Sequence, residues 1–264
     1  MQAADINQNL FAEERRRNIL GLLNTSGKVT VDELSAHFGV SLPTIRADLS
    51  RLEEQGMLRR THGGAIPHSP TIFEPPYAQR EVMHQQEKRA IARDAAALVN
   101  DGDTLLLDAG TTVYELALSL KSKRDITVVT NSLANVLALM DSPQIEVILV
   151  GGQIQPRRKA ALGPLAVRFL DDFHVDKAFL SFNGVDVEAG YTVVDFEAAE
   201  IKRKIMSCAA ESVVLCDSSK IGQRAFANVG QINAAHIFIT DSQISKTAQA
   251  QIAERGPKVI IAAM

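Results

Sequence analysis

Cysteine is scarce in this chain of 264 residues: there are two, Cys208 and Cys216. Both sit among apolar neighbours, which excludes a disulfide framework and points to buried structural thiols in a reducing compartment. The six histidines are scattered, with no metal-ligand spacing to one another or to the cysteines, so no metal site is expected; no cofactor is expected either. No apolar run reaches the length of a membrane span. The polar N-terminus lacks the apolar stretch of a signal peptide. A cytoplasmic protein without a membrane partner is expected. Positive charge is not in excess either. The net charge is −3, which excludes a global attraction to nucleic acid. Residues 1–66 carry eight Lys/Arg against eight Asp/Glu, so any DNA binding there must place charge locally. Internal repeats and low-complexity segments are absent.

What is present is ordinary for a globular chain: 46% hydrophobic and 22% charged residues. The length suits a small domain followed by a larger one. Residues 1–11 read as a frayed polar start. From about Ala12 to Asn24, Ile19, Leu20, Leu22 and Leu23 cluster at helical spacing, and Ser26-Gly27 stops the helix. Thr30-Val31-Asp32-Glu33 is a capping box. The short helix after it has Val31, Leu34, Ala36 and Phe38 as core candidates and ends at Gly39. Ser41 caps a third helix with Pro43 in its first turn. Ile45, Leu49 and Leu52 give that helix one apolar face, and Gly56 ends it. Residues 57–66 read as a hairpin turning at Gly63-Gly64, or as a plain loop.

Three helices and a hairpin joined by a tight turn at Gly39-Val40 match a winged helix-turn-helix over residues 12–66. The third helix would enter the major groove of double-stranded operator DNA, its N-terminal residues nearest the bases. Off its apolar face lie Ser41, Pro43, Thr44, Arg46, Ala47, Ser50 and Arg51. Ser41 and Thr44 suit phosphate or base contacts, and Arg46 suits a bidentate guanine contact. Arg51 would hold a phosphate, or pair with Asp48 along the helix. Arg59, Arg60 and His62 stand where a wing would touch the duplex.

Pro67, Pro70, Pro75 and Pro76 make 67–80 a stiffened linker. Beyond it, in 81–264, short apolar strands alternate with helices. A helix over 81–100 is followed by strands at 104–108, 127–130, 146–150, 177–181, 213–216, 235–240 and 258–262. Helices are expected at 113–121, 132–141, 161–171, 197–211 and 243–255. The fold class is therefore α/β: a winged helix-turn-helix plus a larger, mostly parallel sheet covered on both faces. Asp108-Ala109-Gly110-Thr111-Thr112 follows a strand and opens a helix, so its glycine, free amides and hydroxyls suit a phosphate. Other strand ends carry Asn131-Ser132, Gly151-Gly152, Asn183-Gly184-Val185-Asp186 and Asp217-Ser218-Ser219-Lys220. Ligands of parallel sheets bind outside the strands' carboxyl ends, so these five segments should converge on one crevice for a small polar ligand. Arg157-Arg158-Lys159 could reach an anion from a loop, although a solvated loop is the plainer reading.

Residues 15–66 resemble the DeoR family of bacterial transcriptional regulators. The likeness rests on Arg15, Ile19 and Leu23, on Ser41-x-x-Thr44-Ile45-Arg46-Ala47-Asp48-Leu49, on Leu52-Glu53-Glu54-Gln55-Gly56 and on His62-Gly63-Gly64-Ala65. Ala47 departs from the pattern, where a second basic residue is common. The likeness continues through the strand-end segments, Glu197-Ala198 and Lys202–Met206. It implies a sensor domain resembling ribose-5-phosphate isomerase in fold. That domain would bind a phosphorylated sugar, with Gly110, Thr111 and Thr112 on the phosphate and Asp108, Asn183, Asp186, Glu197 and Lys220 facing the sugar. Ser181-Phe182 departs where small residues are usual, which bears on the pocket's shape. The resemblance implies a non-enzymatic repressor of a sugar-metabolism operon, a homo-oligomer (dimer or tetramer) released from its operator by the sugar phosphate. The competing reading is a sugar-phosphate isomerase with an accessory DNA-binding domain. It rests on Glu197 sharing a pocket with Asp186 as a carboxylate base.

Overall fold

The computed structural model describes residues 2–26, 28–67 and 74–263; Gly27 and Pro70, assigned above to a helix stop and a linker, lie outside them. Chain contacts divide the molecule into two units, Met1–Phe73 and Glu74–Met264. The division falls inside 67–80, so Glu74–Arg80 belongs to the larger unit rather than to a linker.

The smaller unit begins with helix α1, Gln2–Ser26, which replaces the frayed start expected for residues 1–11. Strand β1 (Val29–Thr30) leads into α2 (Val31–Phe38), then α3 (Leu42–Glu54), β2 (Leu58–Thr61) and β3 (Gly64–Pro67). The capping box is present: Thr30 Oγ1 accepts the Glu33 amide at 3.2 Å and Glu33 Oε2 accepts the Thr30 amide at 2.9 Å. Gly39 ends α2 in the left-handed region at φ 64°, where a side chain would be strained. Ser41 caps α3 as expected. The hairpin turns at His62-Gly63, and Gly64 is already in β3, paired with both Thr61 of β2 and Thr30 of β1. That third strand leaves no room at Gly64, because a Cβ there would strike the Val29 carbonyl. Ile19, Leu23, Leu34, Ile45, Leu49, Leu52 and Leu58 form the core. Ala36, expected in it, is exposed, because it falls on the outer side of a helix only eight residues long.

In the larger unit, α4 (Tyr77–Val82) and α5 (Gln85–Ala96) replace the single helix expected over 81–100. His84 breaks them apart with φ 51°. There follow β4 (Thr104–Leu107), α6 (Thr111–Ser119), β5 (Ile126–Thr130), α7 (Leu133–Leu139) and β6 (Ile145–Leu149). A ribbon, β7 (Gln153–Gln155) and β8 (Ala160–Leu162), precedes α8 (Pro164–Phe169). The helix expected at 161–171 is thus partly strand, ended on that side by Gly163 and Pro164. Then come β9 (Val175–Leu180), β10 (Gly184–Asp186), β11 (Gly190–Val193), α9 (Phe196–Ser207), β12 (Ala209–Leu215) and β13 (Ala227–Gly230). The chain closes with β14 (Ile237–Asp241), α10 (Lys246–Glu254) and β15 (Lys258–Ala262).

Seven strands pair in the order β15-β14-β12-β9-β4-β5-β6, every pairing parallel. Successive side chains point to opposite faces of a strand. Leu105 and Leu107 therefore pack in one core layer with residues of α5 and α6, while Leu106 packs in the other with α8 and α9. A strand buried on both sides reads as a continuous apolar run, which is why these strands were visible in the sequence. Among the described residues, no helix is long and apolar enough to cross a membrane, and no group of three or more His, Cys, Asp or Glu is placed to hold a metal ion.

In the smaller unit, Asp48 of α3 is 3% exposed. Its two carboxylate oxygens take Arg15 Nε at 2.6 Å and Arg16 Nη1 at 3.1 Å, both from α1. Asp48 therefore clamps α3 to α1 and is not the partner of Arg51. Removing one member of such a pair strands the other charges in a part-buried site. Asp48→Ala should destabilise the smaller unit by about 3 kcal/mol, read as an earlier unfolding midpoint in urea. An unchanged midpoint would reduce the clamp to an incidental contact.

Candidate functional site

The outward side of α3 follows from its inward side. With Ile45, Leu49 and Leu52 buried, a period of 3.6 residues leaves Pro43, Arg46, Ala47 and Arg51 exposed, as they are. Ser41 Oγ lies 2.9 Å from Thr44 Oγ1 and also accepts the Thr44 amide at 3.4 Å, so the two hydroxyls form one polar group at the front of the helix. Arg59, Arg60 and His62 are exposed on the hairpin. Arg60 is tied down: its Nη1 donates to Ser50 Oγ at 2.6 Å and its amide to Glu53 Oε1 at 2.8 Å. Ser50 thus holds the wing against α3. Among the described residues, no carboxylate pairs with Arg46, Arg51 or Arg59. The locally placed charge that an acidic chain needs is there.

In the larger unit, the chain passes from β4 outward through β5 and β6, then returns to the other side of β4 with β9. Helix α6 lies on one face and α9 on the other. A crevice opens at such a switch point between the carboxyl ends of the two strands. Asp108 follows β4 and Ser181 follows β9. Lys202 of α9 joins them: its ammonium contacts the Asp108 carboxylate and donates to the Ser181 carbonyl at 2.8 Å. Gly110 passes so near Ser181 that a Cβ would strike its hydroxyl.

The cleft is lined by Glu74, Arg80, Asp108, Asn131, Arg158, Ser181, Phe182, Asn183 and Lys202, among others. Asn131 Nδ2 donates to the Ala161 carbonyl at 3.3 Å, while its buried Oδ1 has no partner. Phe182 stacks on Tyr191 with ring centroids 4.8 Å apart, so it is both core and wall. Glu74 Oε1 accepts from Arg80 Nη1 and from Asn183 Nδ2, each at 3.0 Å. Its Oε2 takes Arg158 Nη2 at 3.1 Å. Burial works to raise the Glu74 pKa, but the two guanidiniums and the Asn183 bond outweigh it and hold the carboxyl below the ordinary glutamate value.

Three of the five strand ends meet here, those of the adjacent strands β4, β5 and β9. The other two lie further along the sheet. Gly151-Gly152 follows the edge strand β6 and does not line the cleft. Asp217–Lys220 follows β12, on the far side of β9, and Lys220 stands by Asp217 instead: burial works to raise that carboxyl's pKa, and Lys220 and Ser219 outweigh it. Asp186 is spent on its own turn, accepting the amides of Glu188 at 2.9 Å and Ala189 at 2.8 Å and pairing with Arg224 at 2.9 Å. It faces a separate groove. Glu197 accepts Gln155 Nε2 of the ribbon at 2.9 Å and lines neither the cleft nor the groove that Asp186 faces, so neither hollow holds the carboxylate pair behind the isomerase reading. Ser132 caps α7 through the Asn135 amide at 3.3 Å. Gly110, Thr111 and Thr112 open α6 two residues beyond Asp108. Both threonines are buried, and the first helical bond runs from the Tyr114 amide to the Gly110 carbonyl, so the amides before it have no helical acceptor.

Sequence reasoning missed Glu74 and Arg80, weighed Arg158 only as a less favoured alternative to a solvated loop, and placed Lys202 in a family segment without giving it a role in the site. Lys202 had a signal: it falls on the same buried face of α9 as Ala198, Ile201 and Ile205. Arg158 had only the weak signal of a basic run, and the fold of the β7–β8 ribbon turns it inward, away from the solvated loop expected of it. The two cysteines are free and buried, and burial pushes the Cys216 thiol up to about 12.

Residues 15–71 match the family model for the DeoR-like helix-turn-helix domain, and residues 83–242 match that for the DeoR C-terminal sensor domain. The chain belongs to the DeoR family. It is 36% identical over 251 residues to the HTH-type transcriptional regulator GlpR of Haloferax volcanii, covering 95% of this chain and 98% of that one. It is 36% identical to the HTH-type transcriptional repressor GlcR of Bacillus subtilis (88% and 89% covered). It is 32% identical to the glycerol-3-phosphate regulon repressor of Escherichia coli (87% and 90%). Ribose 5-phosphate isomerase A of Methanocaldococcus jannaschii aligns at 20% identity over 52% of this chain and 54% of that one, TM-score 0.38, a likeness too slight to bear on function. This DeoR-family chain is a DNA-binding transcriptional regulator rather than an enzyme.

Proposed function

We propose that this regulator is a cytoplasmic repressor of a sugar-metabolism operon, and that a phosphorylated sugar or related metabolite bound in the larger unit weakens its hold on the operator. The observation that carries the effector half is the cleft. Arg80, Arg158 and Lys202 converge on it with an unpartnered buried acceptor, Asn131 Oδ1, beside the open first turn of α6. Phosphate meets cations, amides and the Thr111 and Thr112 hydroxyls, while Asp108 and Asn131 take sugar hydroxyls. The name of the Escherichia coli relative, a glycerol-3-phosphate regulon repressor, fits a phosphorylated effector. An effector can act on DNA binding only by binding one arrangement of the protein more tightly than another.

On the DNA side, Ser41, Pro43, Thr44, Arg46 and Arg51 face the major groove and its phosphates, while Arg59, Arg60 and His62 meet the backbone. Ser50 acts through Arg60. A dimer or tetramer places two or more recognition helices on a repeated or palindromic operator. Leu137, Met140 and Leu149, which are 69%, 60% and 40% exposed at the β6 side of the sheet, support an interface between copies there.

Arg46→Ala should cost roughly 1–3 kcal/mol on the true operator and relax base preference at one position, measured by fluorescence anisotropy against single-base operator variants. An equal loss on every sequence would move Arg46 to a phosphate. Thr111→Ala should leave operator binding in place and raise the effector concentration for half-release by roughly tenfold or more, the worth of one hydrogen bond to a charged group. Loss of operator binding in a folded Thr111→Ala protein contradicts that role.

A further inference from the structure

Glu74 stands in the cleft as a bound anion would. Three donors from separate parts of the larger unit surround its one carboxylate: Arg80 from α4, Arg158 from the β7–β8 turn and Asn183 from the segment after β9. Its side chain is 12% exposed and both oxygens are engaged. Glu74–Pro76 form neither helix nor strand, so the carboxylate can leave without breaking an element. The charges around it point the same way. Arg80, Arg158 and Lys202 line the cleft against Glu74 and Asp108, with Asp195 outside the lining, 3.8 Å from Arg158. Without Glu74 the lining holds three cations and one carboxylate, a surplus suited to a dianionic phosphate.

We infer that Arg80, Arg158 and Asn183 form an oxyanion subsite that Glu74 occupies as an internal ligand, and that the anionic group of the effector binds there by displacing it. This rests on the reading that the cleft takes a phosphorylated metabolite, and it adds a place for the anion and a competitor for that place. Competition lowers the ligand's apparent affinity by the fraction of molecules in which Glu74 is out.

The test is calorimetric titration of inorganic phosphate into the full-length protein as wild type, Glu74→Gln, and Glu74→Gln with Arg158→Ala. Glu74→Gln keeps the side chain's size and removes its charge. It should bind phosphate at least tenfold more tightly than wild type, and adding Arg158→Ala should abolish the gain. Glu74→Asp, shorter by one methylene, should tighten binding less, and it serves in the same comparison should Glu74→Gln fail to fold. Equal phosphate affinity in wild type and the Glu74 variants overturns the inference and leaves the effector reading standing. A gain that survives Arg158→Ala puts the phosphate elsewhere and also overturns it. No phosphate binding by any of these proteins, and no response of the wild type to any sugar phosphate, overturns both.

Discussion

A parallel sheet buried on both faces has nowhere to keep polar groups except at the ends of its strands. That constraint organises the larger unit. Leu105, Leu106 and Leu107 of β4 are fully buried, and the first residue that can carry charge is Asp108, just past the strand. It is buried as well, so it needs a partner, and Lys202 on α9 supplies one. The pair spans the point where the strand order reverses, and it fixes α9 and the ends of β4 and β9 to one another. Around that pivot the ends of β4, β5 and β9 form a crevice whose walls are set by the sheet and whose chemistry is set by a few side chains. Asn135 serves the same end from behind, donating to the Asp108 carbonyl at 3.2 Å and to Thr130 Oγ1 at 3.1 Å.

The smaller unit solves a different problem with the same economy. A net-negative chain must present positive charge to DNA at one face only. Asp48 turns inward and takes Arg15 and Arg16, which removes two cations from competition and clamps the recognition helix at a fixed angle to α1. Ser50 and Glu53 hold Arg60. Arg46 and Arg51 remain outward. Helix α3 is thereby held in place by contacts to α1 and to the hairpin.

Much of this was legible in the sequence because it is local. Thr30, Glu33, Ser41 and Gly39 act within a few residues of themselves, so the helix boundaries of the smaller unit could be read directly. The sheet strands were visible as apolar runs. What escaped was set by distant partners. Strand β1 is two residues long and exists because β3 lies beside it. Only the end of β8 fell within the helix expected at 161–171; the rest of the β7–β8 ribbon, and with it the inward turn of Arg158, read as a solvated loop. Glu74 looked like linker because its partners, Arg80, Arg158 and Asn183, are spread over more than a hundred residues of chain. Asp186 and Glu197 carried the right chemistry at strand and helix ends, yet their side chains close local turns and ribbons instead of entering the cleft.

The central claim is that the larger unit binds a phosphorylated sugar in this crevice. Thermal unfolding of the purified protein against sugar phosphates and their unphosphorylated counterparts tests it most directly. A ligand at a hundred times its dissociation constant adds about 2.7 kcal/mol to the native state, a shift of several degrees for a unit of this size. The account predicts that at least one phosphorylated sugar raises the transition of the larger unit while its free form does not. A panel in which no phosphorylated sugar moves that transition, or in which the free sugar moves it equally, contradicts the account.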